Sequence, residues 1–215
     1  MKKIFGLVAL SSVVLMALPA YAEDNENVIY GEDSGEIKVN GTLGINNTPE
    51  DAGIDEGDDA WINVTLPLKT IFYSASPKAG APITSPKYTI TNNSGRPVDI
   101  SFSKLEKSGG DADVIDYNVF LRAVNEPFSG TNPQIIENGK VVDNSENLQP
   151  FHRLANVNGK LSEKDAVVED GNKISFEYNG AVTDELPKTI KHEYTMTLEF
   201  KAVSWSEAEE AEETP

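Results

Sequence analysis

Cysteine is absent from all 215 residues, so no disulfide is available and the fold must be held by a buried core. Histidine is nearly absent: His152 and His192 are the only two, which leaves little with which to build a hydrolytic triad. His192 stands in the apolar register of an alternating segment and reads as a core or near-core side chain. His152 lies in Gln149-Pro150-Phe151-His152-Arg153-Leu154, which matches no nucleophile or zinc motif. The chain also lacks His-Glu-x-x-His, Gly-x-Ser-x-Gly and any phosphate-cradling glycine loop. Positive charge is scarce, with 18 Lys and Arg against 35 Asp and Glu and a formal net charge of −17. That balance repels nucleic acid and anionic lipid, so no nucleic-acid partner is expected.

Long apolar runs are limited to one. Lys2 and Lys3 precede a nearly unbroken apolar stretch from Ile4 to Leu18, Pro19 ends it, and Ala20-Tyr21-Ala22 has the Ala-x-Ala form of a cleavage site. The expectation is a secretory signal peptide over residues 1–22, cut between Ala22 and Glu23, rather than a membrane anchor, which wants about 20 apolar residues. No cysteine follows to accept a lipid, and no transmembrane anchor is expected in the mature chain. Leu186-Pro187-Lys188-Thr189 has the outline of a sortase signal, but Ile190 replaces the required Gly and no apolar span follows it. Export is thus expected to end in a secreted or surface-associated protein held non-covalently.

What the chain does have is alternation of period two between clusters of turn residues, with helical stripes almost missing. Ile62, Val64, Leu66 and Leu68 predict one half-buried strand. Tyr88, Ile90 and Asn92, then Asn93-Ser94-Gly95, then Val98, Ile100 and Phe102 predict a hairpin. Ile115, Tyr117, Val119 and Leu121 predict a central or paired strand. Ile174, Phe176 and Tyr178 predict another, ending in a turn at Asn179-Gly180. The clearest strand sets Ile190, His192, Tyr194, Met196, Leu198, Phe200 and Ala202 on one face and Lys191, Glu193, Thr195, Thr197, Glu199 and Lys201 on the other. A slip of one residue would bury every charge, so its register is fixed, and its core face is expected at the centre of the domain.

Asn125 to Leu148 reads as loops and short strands around Ile135-Ile136 and Val141-Val142. Residues Gly159 to Asp170 are the one place for a short helix, with Ser162 as its N-cap, or else form another loop. The organisation expected is a flexible acidic segment 23–35, one all-β domain 36–205, and an acidic disordered tail 206–215 with no core residues. Within the domain the strand count and spacing point to an antiparallel β-sandwich, Ig-like or jelly-roll-like, with long loops.

Three groups of candidate site residues follow. Asp51, Asp55, Asp58 and Asp59, with Glu56 among them, place hard oxygen donors in a short span and make calcium the one candidate cofactor, although the spacing is not that of an EF-hand. Asp111, Asp113 and Asp116 form a second acidic group. Trp61, Tyr73, Tyr88, Phe151 and Trp205 are the candidate binding aromatics, since exposed rings anchor glycan or protein contacts.

Trp61 to Leu68, and Tyr88-Thr89-Ile90-Thr91-Asn92-Asn93-Ser94 with its restart at Pro97-Val98, resemble secreted surface proteins of Gram-positive bacteria. The two groups most similar are the WxL-type proteins and the TasA/camelysin-like biofilm-matrix proteins. Tyr194-Thr195-Met196-Thr197-Leu198 followed by Val203-Ser204-Trp205 is similar to the closing strand of WxL domains, but Ser206-Glu207 follows Trp205 where a Leu would stand two places on. Trp61 departs likewise, being followed by Ile62-Asn63. The resemblance implies non-covalent binding to peptidoglycan for the first group and matrix assembly for the second.

The function expected is therefore structural or adhesive and non-enzymatic, with a cell-wall polymer or another surface protein as partner. Two alternatives stand beside it. One is a fibre subunit that self-assembles by donating the segment Asn27–Leu43 to a neighbour's sheet edge. The other is a surface hydrolase whose paired carboxylates meet only in the fold.

Overall fold

A computed structural model describes residues 46–124 and 130–213. The expected signal segment 1–22, the acidic segment 23–35 and the candidate donor segment Asn27–Leu43 lie outside them. The described chain is nearly all β and its strands form two antiparallel sheets. The larger contains β1 (Val64–Thr65), β2 (Tyr73–Ser74), β3 (Pro82–Thr84), β4 (Tyr88–Asn92), β6 (Tyr117–Val124), β7 (Gln134–Glu137), β8 (Lys140–Val141) and β10 (Lys173–Val182). Its main path runs β1-β4-β10-β6-β7-β8, with β3 sharing the β4 side of β10 and β2 pairing β3. The smaller sheet is β11-β5-β9, from β11 (His192–Ala202), β5 (Val98–Gly110) and β9 (Gln149–Leu154).

Alternation makes these strands and burial joins the sheets. In β10 the side chains of Ile174, Phe176 and Tyr178 point into the core, and in β6 those of Tyr117, Val119 and Leu121 do so. The smaller sheet adds Ile100, Phe102, Leu105, Phe151 and Leu154 to the same apolar cluster. Phe151 meets Phe176 edge-on at 6.4 Å, so aromatic packing ties one sheet to the other. Each of these fully buried side chains contributes about 1.5–3 kcal/mol relative to exposure. The sequence expectations for β6 and for the inward register of β10 and β11 match this arrangement.

Other expectations need correction. The segment from Tyr88 to Phe102 is an arch and not a hairpin: β4 pairs with β1 and β10, whereas β5 pairs with β11 and β9. The turn signal at 93–95 is real, but the chain uses it to leave one sheet for the other. Asn92 makes this possible. Its buried Nδ2 donates to the carbonyls of Arg96 and Ala155, each at 2.8 Å, and its Oδ1 accepts from the Ser94 N–H. The side chain thereby supplies bonds that a hairpin ladder would have supplied.

The strand expected over Ile62–Leu68 shrinks to Val64–Thr65; Leu68 is 87% exposed and Pro67 offers no N–H to a ladder. Asn179-Gly180 is no turn. It lies inside β10, where a Cβ on Gly180 would run into the Asn118 carbonyl oxygen across the ladder. The two-residue turn sits instead at Asn138-Gly139 between β7 and β8, both residues at positive φ (47° and 72°). Residues 159–170 contain no helix: Ser162 is buried and its N–H is held by the Asp165 carboxylate in a loop.

Among the described residues the α-helix is α1 (Trp205–Glu213), which takes up most of the stretch 206–215 expected to be a disordered tail. Ser204 caps it by accepting the Glu207 N–H, the Ser-x-x-Glu pattern that favours a helix start, and Ala208 is 4% exposed, so the tail does reach the core. Finally, β11 presents its apolar side to the core but is not central. Among the described strands it is the outer one of the smaller sheet, and Tyr194, Met196, Leu198 and Phe200 are only partly buried.

Replacing Asn92 by Ala strips donors from two buried carbonyls, and Ser94 Oγ relieves only that of Arg96. The expected cost is about 2–3 kcal/mol in urea unfolding, against under about 1 kcal/mol for Asn93→Ala, whose side chain lies nearer solvent. Equal midpoints for the two variants would mean that the arch does not depend on Asn92.

Candidate functional site

The five candidate aromatics do not form one surface. Trp61, Tyr88 and Phe151 are buried in the core, at 0%, 3% and 1% exposure. As binding residues they are therefore corrected to structural ones. The reason is visible in their partners: the Trp61 indole N–H donates to the Asp55 carbonyl at 3.0 Å, and the Tyr88 hydroxyl accepts the Ile71 N–H at 2.8 Å. Polar tips satisfied inside the fold let these rings be buried whole. Trp205 is half-buried at the start of α1. Tyr73 alone among the five is exposed, at 51%, on the short strand β2.

Trp61 and Trp205 nevertheless come together, around a residue that sequence reading did not single out. The Arg96 guanidinium carbon lies 4.3 Å from the Trp61 ring centroid and 4.7 Å from that of Trp205. Its Nε donates to both Glu56 oxygens at 3.0 Å, its Nη2 pairs with Glu56 Oε1, and its Nη1 donates to the carbonyls of Glu50 (2.9 Å) and Gly95 (3.1 Å). Arg96 is 5% exposed. A buried cation that lies over two indole rings and has four of its five N–H groups bonded is held in place as a clamp. The hydrogen bond from Arg96 holds the Glu56 carboxyl below its ordinary value, with partial burial opposing and the Trp205 N–H assisting. Nothing local in the sequence marks Arg96, because both tryptophans and the glutamate reach it from distant segments.

The acidic stretch is likewise occupied with structure. Asp58 Oδ1 caps the short 3-10 turn Asp59–Trp61 by accepting the Ala60 N–H, and the carbonyl of Asp55 holds the Trp61 indole. The structure does not gather Asp51, Asp55, Asp58 and Asp59 into a cage: among the described residues no three acidic or histidine side chains converge as a metal site. In the second acidic group, Asp111 Oδ2 accepts the Lys191 N–H and Asp113 pairs with Lys188 at 2.9 Å.

Of the histidines, His192 bridges β11 to β6. Its Nδ1 lies 2.9 Å from the Tyr117 hydroxyl and 3.1 Å from that of Tyr194, and its Nε2 lies 3.1 Å from the Asp113 carbonyl. The carbonyl only accepts, so Nε2 carries a proton toward it. Burial pushes the Tyr117 phenol well above its ordinary range, reinforced by the neighbouring Tyr194 hydroxyl. Among the described residues no serine, threonine or carboxylate side chain bonds this imidazole. His152 is buried in β9 beside Phe151.

A shallow depression of about 650 Å³ is lined by Pro49, Glu50, Asp51, Asn158, Lys160 and Val167. Burial works to raise the Glu50 carboxyl, but hydrogen bonds from Asn158 and Asn156 and the charge of Lys160 together hold it below its ordinary value. A carboxyl held ionised in this way does not serve as a general acid near neutral pH.

Comparison of the chain with protein-family models, with curated proteins and with solved structures finds no match.

The clamp makes stability depend on pH in a defined direction. Because the folded Glu56 titrates below the ordinary 4.5, its contribution is complete above that value and fades as pH falls through the folded value. Glu56→Gln removes the titration. At neutral pH it is expected to cost about 1–2 kcal/mol, a figure reduced for the partial exposure of Glu56, and the two proteins should converge as pH falls below the folded value of Glu56. Urea midpoints that stay parallel across the whole range would show that the clamp carries none of the acid sensitivity.

Proposed function

We propose that this chain is an exported, non-enzymatic surface protein, an antiparallel β-sandwich with a structural or adhesive role, held non-covalently by a cell-wall polymer or by another surface protein. The observation that carries the reading is one exposed apolar segment. Leu66, Leu68, Ile71 and Tyr73 all stand out to solvent within a stretch between β1 and the end of β2. Apolar side chains grouped in this way on an acidic chain mark an interaction surface. A tyrosine flanked by aliphatic groups suits the face of a sugar ring as well as a protein side chain.

Three further features support a binding over a catalytic role. His192 is held by two phenols and a carbonyl, Arg96 lies over two tryptophans, and among the described residues the carboxylates whose affinity for protons is shifted, Glu50, Glu56, Asp113 and Asp143, are shifted downward. A glycan hydrolase of the two-carboxylate kind needs one acid raised instead. The resemblance of the arch segment to Gram-positive surface proteins points to the same class.

Co-sedimentation with purified, insoluble cell wall tests the reading. The chain from Glu23 onward should be retained, and the triple variant Leu68→Ser, Ile71→Ser, Tyr73→Ser should keep its circular dichroism while losing about tenfold or more in affinity. A wild-type chain that stays wholly in the supernatant, with wall and with extracted surface proteins alike, overturns it.

A further inference from the structure

The long outer strand of the smaller sheet has a pattern that fits a copy of itself. Among the described strands β11 pairs only with β5. Both irregularities of that ladder fall on the inner strand. Glu193 opposes Gly109 and Tyr194 opposes Lys107, while Thr197 opposes Lys104 and Leu198 opposes Phe102, so Ser108 and Ser103 of β5 are the extra residues. β11 itself runs unbroken for 11 residues with no proline, glycine or bulge. Proline and bulges are two of the devices by which exposed edges are normally blunted, and β11 has neither; what it does carry is charge, which turns away a mismatched strand and admits one of complementary pattern.

The identity of that strand follows from charge. Antiparallel pairing about a two-fold axis at Thr197, the midpoint of β11, sets Glu193 against Lys201 at both ends, Thr195 against Glu199, and Thr197 against itself. On the core-facing side the same register sets Met196 against Leu198 and Tyr194 against Phe200, side chains that the monomer leaves only partly buried. An axis at Met196 would instead oppose Glu193 with Glu199, and one at Glu199 would oppose that residue with its own copy. Opposite charges directly across a ladder stabilise it and like charges do the reverse.

We propose that β11 is a homotypic docking edge: two copies of this chain pair antiparallel through Glu193 to Lys201, joining two three-stranded sheets into one continuous sheet. An interface confined to one strand pair is small, below about 1,200 Å², so the association is weak and concentration-dependent. Neighbouring copies crowded on a surface would pair, and dilute ones would not. The proposal is independent of wall binding, because pairing is read in solution with no wall present.

Sedimentation equilibrium of the chain from Glu23 onward, from micromolar to submillimolar concentration, tests it. The expected result is a reversible monomer–dimer equilibrium. Glu193→Lys places Lys opposite Lys201 twice and is expected to raise the dimer dissociation constant about tenfold or more. Lys201→Glu should do the same, although it also loses the exposed pair with Glu207 at 2.5 Å. The double variant Glu193→Lys, Lys201→Glu keeps that second loss yet should bring the dissociation constant back to within about threefold of wild type, which misfolding cannot do. A chain that stays monomeric throughout overturns the proposal. So does a dimer indifferent to both single swaps, a double variant that fails to recover, or a dimer that disappears when residues 27–43 are removed, which would make that segment the occupant.

Discussion

The Arg96 guanidinium, stacked between Trp61 and Trp205 and bonded to Glu56, is the contact on which the arrangement of this chain rests. It sits at the arch where the chain passes from one sheet to the other, and it gathers the acidic stretch, the end of the 3-10 turn and the start of α1. A desolvated cation–π contact contributes about 2 kcal/mol or more, and removing one partner of a buried ion pair costs more than forming it gains. Asn92, Ser94 and Asn156, all fully buried, complete a polar hub around the same five residues of arch. With no disulfide available to hold distant segments together, this hub does so.

The hub also draws in part of the acidic stretch. Glu50 and Glu56 lie in the acidic stretch, yet each is engaged by Asn, Lys, Arg or backbone N–H groups and kept ionised. The tryptophans that suggested a binding face are the walls of the clamp, and the two histidines are held within strands. The surfaces proposed for contact with other molecules lie on segments that the core does not use: the exposed stretch from Leu66 to Tyr73 and the edge that β11 presents among the described strands. Recognition by loops and edges on a fixed core is the usual division of labour in all-β proteins.

Much of the strand content was legible. Val119 and Leu121 in β6, Ile174 and Phe176 in β10, and Met196 and Leu198 in β11 were assigned to the inward face from alternation alone, and the structure places them there. Tyr73 was readable only as one of five aromatics, because exposure depends on what packs over a ring. Arg96 was not readable at all: its partners are 35 to 109 positions away in either direction, counted to Trp61 and Trp205. The capping pattern Ser204-x-x-Glu207 was a local signal for α1, obscured by the acidity of the stretch. The Asn138-Gly139 turn was likewise present as a dipeptide signal that the surrounding loop composition hid.

The arch shows where local reading ends. Tyr88 to Phe102 has the pattern of a hairpin, two alternating runs around Asn-Ser-Gly, and an arch between sheets has the same pattern. From the sequence alone came the absence of disulfides, the acidic charge, the period of two and, strand by strand, which side chains share a face. Only the tertiary structure decided that β4 and β5 part company, that β11 is the outer described strand of its sheet, and that two tryptophans close on one arginine. The physical reason is that alternation is set within a strand by the backbone pleat, whereas pairing and packing are set by side chains remote in the chain, such as Asn92 meeting Ala155, whose proximity no local pattern encodes.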